Sequence, residues 1–225
     1  MIVIPAINET SFVEVGKKMR QAEEFGASWV HLDVSDGKFT PNLLWNNQAD
    51  MSKVESLKSK VKFEVHLMVK NPEEALDGWL DAGVKRVIIH IEAIDITRLN
   101  LVNEVQPRVI QSMRRRCDSA GVEIFLACSP ETSIEELLKY KDDVDGFLIL
   151  AVTPGNACQK FKEDQLEKIR SLREKFPNVK IEVDGGVNLE NALAIKNAGA
   201  DILVSASAIW DSENPSASYK KLSEL

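Results

Sequence analysis

The 225-residue sequence predicts a single (β/α)8 barrel, and three observations lead there. Short apolar, β-branched runs alternate about eight times with longer amphipathic ones, with no long linker or low-complexity tract between them. Glycine–alanine or glycine–valine pairs recur at Gly26-Ala27, Gly83-Val84, Gly121-Val122 and Gly199-Ala200, each a helix stop feeding a buried parallel strand. The first strand runs into PAINETS, which is not the glycine-rich loop of an open dinucleotide-binding sheet. Barrels of this length commonly fold as one domain, so residues 1–225 are expected to form one.

Taken in order, the strand candidates are Ile2–Ile7, Trp29–Val34, Phe63–Met68, Arg86–Ile91, Glu123–Ala127, Gly146–Leu150, Lys180–Val183 and Ile202–Val204. Their near-continuous apolar character suits strands buried on both faces. Helical patterns fall between them, at Phe12–Phe25, Ser52–Ser59, Pro72–Ala82, Asn100–Ala120, Ile134–Lys139, Glu163–Lys175 and Leu189–Ala198. Pro72 and Pro130 stand where a helix is about to begin, and Gly26, Gly83, Gly121 and Gly199 where one has just ended.

Bulk composition excludes several function classes. The net charge is −7, which argues against a nucleic-acid or anionic-membrane partner, and Arg114-Arg115-Arg116 reads as a solvated helix face. No run of about 18 apolar residues is present to span a bilayer. MIVIPAI lacks the features of a secretion signal and reads as a strand. Cys117, Cys128 and Cys158 form neither a CxxC pair nor a disulfide framework, which fits a reducing cytoplasm.

Catalytic groups of such barrels sit at the carboxyl ends of the strands. The chain has three histidines, and His31, His66 and His90 each fall in or at the end of a different predicted strand. Asp33 follows His31 by two residues, so both side chains point into the barrel. Asp184 ends IEVDGG, whose glycines let backbone N–H groups approach a ligand. His31, His66, Asp33 and Asp184 together supply N and O ligands for one divalent transition metal, with Zn, Mn, Fe and Co all chemically reasonable. The alternative reading is a buried salt-bridge network without metal. Two carboxylates flanking a bound substrate at a metal suit proton abstraction next to a carbonyl, one removing a proton and the other returning one.

At these residues the chain resembles the ribulose-phosphate 3-epimerase family, through HLDVSDGKFTPN, VHLMVKNPE, HIEA, TPGNACQKF, IEVDGGVNLEN and GADILVSASAIW in family order. The resemblance implies a TIM barrel of the ribulose-phosphate-binding type that interconverts ribulose 5-phosphate and xylulose 5-phosphate. It implies His31, Asp33, His66 and Asp184 as metal ligands, Asp33 and Asp184 as the acid/base pair on the two faces of C3, and His66 also among the substrate-contacting residues. The sugar phosphate would be held on the backbone of Gly155, Asn156, Ala157, Cys158, Gly185, Gly186, Ala206 and Ser207, a device that needs no large basic charge. His90 is placed near the site in a supporting or core role. A cytoplasmic homo-oligomer is expected; Trp29, Trp45, Trp79 and Trp210 fit either a subunit interface or scattered core and rim positions.

Departures from the family pattern cluster where substrate is contacted. Ala6 replaces a serine, with Asn8 and Glu9 as polar neighbours; Ser35 and Ala151 stand where methionine is usual, leaving Met68. A wetter or larger cavity is expected from those two replacements. PGFGGQ becomes PGNACQ, and GS becomes Ala206-Ser207. Cys158 reads as a small filler rather than a reactive thiol. Related decarboxylases and aldolases carry Asp-x-Lys-x-x-Asp, which Asp33-Val34-Ser35-Asp36 with Lys38 beyond it does not match. Three functions therefore stay open at this point: the ribulose-phosphate epimerase, an epimerase of another ketose or ketose phosphate, and a non-catalytic metal-binding barrel.

Overall fold

The computed structural model describes residues 1–55, 61–94, 105–155 and 159–225. Among them, eight parallel strands pair in sequence order and the last closes on the first. The order is β1 (Ile2–Ile7), α1 (Phe12–Glu24), β2 (Trp29–Ser35), α2 (Ser52–Glu55), β3 (Lys62–Met68), α3 (Pro72–Asp81), β4 (Arg86–His90), α4 (Val105–Ala120) and β5 (Glu123–Cys128). It continues through α5 (Ile134–Leu138), β6 (Gly146–Leu150), α6 (Gln165–Lys175), β7 (Lys180–Asp184), α7 (Ala192–Ala198), β8 (Ile202–Ser205), α8 (Ser207–Trp210) and α9 (Pro215–Ser223).

The predicted strands are therefore present to within a residue or so at each end. Two helix starts move inward: α6 begins at Gln165 rather than Glu163, and α7 at Ala192 rather than Leu189. In the second case the Asn188 side chain accepts from the backbone of Glu190 and Asn191 and holds those residues as a turn. The far end of the predicted Ser52–Ser59 helix and the start of the Asn100–Ala120 helix lie outside the described residues. Helices α8 and α9 were not anticipated, although α9 carries a plain start signal: Asn214 accepts from the backbone of Ala217, and Pro215 follows it.

Strand alternation sorts the side chains into two cores. Val30, Leu32 and Val34 of β2, Val65 and Leu67 of β3, and Val87 and Ile89 of β4 pack outward beneath the helices. A smaller apolar cluster, including Ile4, Ala6, Ile88, Phe125, Ala127, Leu148, Leu150, Ile202 and Val204, fills the barrel itself. Strands β1, β5, β6 and β8 thus contribute mostly apolar interior residues. Charged and imidazole groups enter the interior from β2, β3, β4 and β7.

The four tryptophans are core and rim residues. Trp45 and Trp79 are buried, and Trp29 packs against the interior cluster. Trp210 donates its indole N–H to the Ala6 carbonyl at 2.5 Å, joining residues 204 apart in sequence. Cys117 and Cys128 are buried free thiols, each pushed up to about 12 by burial, which removes them from thiolate chemistry.

Candidate active site

Strand register decides which polar groups meet. Asp33 of β2 lies beside His66 of β3, and Leu150 of β6 beside Asp184 of β7. His31, Asp33, His66 and Asp184 each offer one ligand atom, and these four atoms lie within 4.8 Å of one another. His66 Nδ1 is 3.0 Å from Asp33 Oδ1 and 3.7 Å from Asp184 Oδ2; His31 Nε2 is 3.2 Å from Asp33 Oδ1. Both imidazoles are fully buried.

The hydrogen-bond network assigns the ring protons. Glu92 accepts from His90 Nδ1 at 3.1 Å and also from the Ser129 backbone and the Thr132 hydroxyl. Burial opposes ionisation of Glu92, but these partners pull its carboxyl down to about 2. Burial lowers His90, so its neutral ring donates from Nδ1 and keeps a bare Nε2. That nitrogen sits 2.8 Å from His66 Nε2, which must donate to it. With Nε2 turned to His90, His66 Nδ1 faces the two aspartates. On the other side, His31 Nδ1 donates to Glu64 at 2.8 Å, which directs Nε2 into the same cluster.

Ligand-type atoms therefore converge on one spot. Acceptor atoms so arranged need either protons or a cation between them. Without a cation, burial would lower His31, but Asp33, Glu182 and Glu64 outweigh it and raise it well above the usual histidine range. Asp33 responds in the opposite sense: burial alone would raise it, yet His31 and His66 hold it well below the usual carboxylate range. Asp184 is raised to about 6 by burial and by repulsion from Asp33. A two-imidazole, two-carboxylate donor set of this kind fits one divalent transition metal.

Around the cluster, a cavity of about 130 Å³ is lined by residues including Asn8, Asp33, Leu44, Met68, Asp184 and Gly185. Leu150, Val152 and Gly155 complete much of its wall. Of the three positions where methionine is usual, Met68 lines the cavity and Ser35 and Ala151 do not. Ser35 is buried with its hydroxyl 2.9 Å from Thr40 Oγ1 and bonded to the Asn42 carbonyl; Ala151 packs in the outer core. Asn8 faces the cavity, whereas Glu9 turns to an ion pair with Lys18 at 2.5 Å. Ala6 is buried within the barrel.

The expected phosphate-holding residues are distributed over two cavities. Gly155 and Gly185 line the first; Gly186 and Ser207 line a neighbouring one of about 620 Å³, together with Lys160 and Asn188 among others. Gly185 and Gly186 both have positive φ, at 104° and 70°, and a Cβ on Gly186 would come within 2.3 Å of the Phe161 backbone nitrogen. Ala206 lines neither cavity and precedes α8. Asn156, Ala157 and Cys158 lie outside the described residues. Asn42 donates to the Gly155 carbonyl, tying the loop after β2 to the loop after β6 across the mouth.

Residues 2–210 match the model of the Ribulose-phosphate 3 epimerase family. The chain belongs to the ribulose-phosphate 3-epimerase family. It is 35% identical over 228 residues to the ribulose-phosphate 3-epimerase of Chlamydia muridarum (strain MoPn / Nigg), covering 99% of this chain and 93% of that one. It is 29% identical to the enzyme of the same name from Schizosaccharomyces pombe, covering 95% and 88%. Family membership makes it an isomerase acting on carbohydrates. Among solved structures, 3-hexulose-6-phosphate synthase from Salmonella typhimurium superimposes with a TM-score of 0.74 at 17% identity, covering 100% of this chain and 97% of that one, which supports the TIM-barrel fold.

The same register holds polar groups that the sequence reading passed over. Glu64, Arg86 and Glu182 lie deeper in the barrel and are buried. The available signal was periodicity: Glu64 precedes His66 by two residues, Glu182 precedes Asp184 by two, and Arg86 precedes His90 by four. Inward alternation from the recognised residues would have found all three.

Proposed function

We propose that this epimerase-family chain inverts C3 of a ketose phosphate, interconverting ribulose 5-phosphate and xylulose 5-phosphate. The observation that carries the proposal is the meeting of Asp33 and Asp184, from strands β2 and β7, with one ring nitrogen each of His31 and His66 at one spot. His31, Asp33, His66 and Asp184 would hold one divalent transition metal (Zn, Mn, Fe or Co). When bound, such an ion supplies Lewis-acid polarisation of the substrate carbonyl and stabilises an enediolate.

The chain's own groups do the rest. One aspartate takes the C3 proton, and the other delivers a proton to the opposite face, which inverts the carbon. Opposed environments favour this division: Asp33 stays ionised, while Asp184 carries a proton more readily. Met68, Leu44, Leu150 and Val152 give the reacting carbons an apolar, water-poor wall. Backbone groups at Gly155–Cys158, Gly185-Gly186 and Ala206-Ser207 would hold the phosphate, which accounts for an anionic substrate on a chain of net charge −7. Among the described residues no helix is long and apolar enough to cross a membrane; a cytoplasmic homo-oligomer is part of the same proposal.

The test is metal-loaded protein with ribulose 5-phosphate in deuterated water. Deuterium at C3 together with xylulose 5-phosphate is the expected result. Exchange on a different ketose alone would replace the substrate, and no exchange on any ketose despite stoichiometric metal would sink the catalytic reading.

A further inference from the structure

Below the candidate metal site, a second group of ligand-type side chains comes together: His31, Glu64 and Glu182, all buried. It is already occupied by a cation of the chain itself. Arg86 places Nη1 2.5 Å from Glu64 Oε2 and 3.1 Å from Glu182 Oε2, and its Nε and Nη2 donate to Glu123 Oε2 at 2.9 and 2.8 Å. Its guanidinium carbon lies 4.5 Å from the Trp29 ring centroid and 4.2 Å from that of Phe125, so aromatic rings flank it. Gly146 leaves the space for the Phe125 ring, since a Cβ there would come within 2.5 Å of it. Lys180 completes the rim by binding the other oxygen of Glu123 at 2.5 Å.

Toward the mouth, this arrangement reaches His31. The Glu64 oxygen not facing Arg86 accepts from His31 Nδ1 at 2.8 Å, and Glu182 Oε1 stands 3.5 Å from the same nitrogen. We infer that Arg86 is a positioning residue for the metal site: it fixes Glu64 and Glu182 behind His31, and so holds the His31 ring with Nε2 facing Asp33. The planar fork is what the role requires. A lysine carries the same charge but cannot address Glu64, Glu182 and Glu123 at once from one plane.

The inference rests on the metal reading proposed above, and the experiment separates the two. Metal dissociation constants are measured by competition with a chromophoric chelator, using Zn and Mn alone as probes, for the parent, Arg86→Lys, and the charge-balanced double variant Arg86→Leu/Glu182→Leu. The double variant removes one buried cation and one buried anion together, which protects folding. Melting of the metal-free proteins is recorded alongside. The expected result is metal binding weakened about 10- to 100-fold in each folded variant, the range typical for groups that orient a ligating histidine. The His31 ring N–H resonance, shifted by its carboxylate partner in the parent, should also move. A folded variant that binds metal within about twofold of the parent overturns the role of Arg86. A parent that binds no metal overturns the metal reading, and this inference with it.

Discussion

At the base of the barrel, Arg86 lies among Glu64, Glu182 and Glu123; at the mouth, neither Asp33 nor Asp184 is ion-paired to a lysine or arginine among the described residues, and both face His31 and His66 instead. Both levels bury charge within one interior, and strands β2, β3 and β7 contribute to each. The base is closed by aromatic rings and has its countercharge built in. The mouth borders a cavity and leaves acceptor atoms facing one another. One level has its countercharge within the polypeptide; the other, on the function proposed above, takes a bound cation. Substitutions should therefore differ in kind: changes at the base should cost stability along with whatever they pass on through His31, whereas changes at the mouth should be felt in chemistry with little loss of stability.

The sharpest test is Asp184→Asn. It should lower epimerisation by about 10²- to 10⁴-fold, the range of a lost acid/base group, and leave the melting temperature unchanged or higher, because a buried carboxylate raised to about 6 is replaced by a neutral isostere. Activity within a few-fold of the parent would remove Asp184 from the proton transfer. The mirror experiment is Glu64→Ala at the base, which leaves the Arg86 charge underpaired. Denaturant titration should show a loss of about 3–5 kcal/mol, the usual effect of breaking a buried ion pair from one side.

His66→Ala should weaken metal binding by at least about 10-fold while the protein stays folded, since it removes a proposed ligand at the open level. Unchanged affinity in a competition titration would mean the donor set is wrong.

Metal-free protein should also show the contrast through pH. Burial with repulsion from Glu64 raises Glu182 to about 7, and burial with repulsion from Asp33 raises Asp184 to about 6, so the native state holds protons that the unfolded chain has released. Their contribution is fully present below about pH 4 and is lost as pH rises through about 6–7. His31, also raised, extends the decline to higher pH, whereas Asp33 and Glu92, both lowered, lose their contribution only in acid. Melting should thus be higher at pH 5 than at pH 8, by on the order of 5–10 °C. Metal should narrow the gap, because it binds deprotonated ligands. A melting temperature that rises over this range would contradict the assigned burial. The smallest effect is expected from Ser35→Ala, a cost of about 1 kcal/mol with turnover nearly unaffected, since that hydroxyl serves Thr40 and the Asn42 carbonyl rather than the cavity.

The mouth was legible in the sequence and the base was not, for a physical reason. Histidines are few in this chain, and placing each at the end of a different apolar run was enough to gather His31 and His66 with Asp33 and Asp184. Glutamate and arginine are common, so Glu64 in KFEVHLM and Arg86 in RVIIH do not stand out as the histidines do. Only register brings Glu64 beside Arg86 and sets both against Glu182 of β7, far away in the chain. A buried ion network, weighed from the sequence for His31, Asp33, His66 and Asp184, is present one level down, around Arg86. The eight strands were readable because burial on both faces leaves a continuous apolar run. Helix α9 was missed because few of its residues are buried, with Leu222 the one such residue among its side chains.

The indole bond from Trp210 to Ala6 has a consequence for how the chain is made. Strand β1 pairs with β2 on one side, but its other edge waits for β8, and the Trp210 staple forms only after 204 further residues have been added. At typical synthesis rates that interval is on the order of 10–40 s. Throughout it, the backbone of Ile2–Pro5 presents an unsatisfied edge that later pairs with Ile202–Ser205. Barrel closure is thus a late, long-range event, and a nascent chain is most open to mispairing along its very first strand.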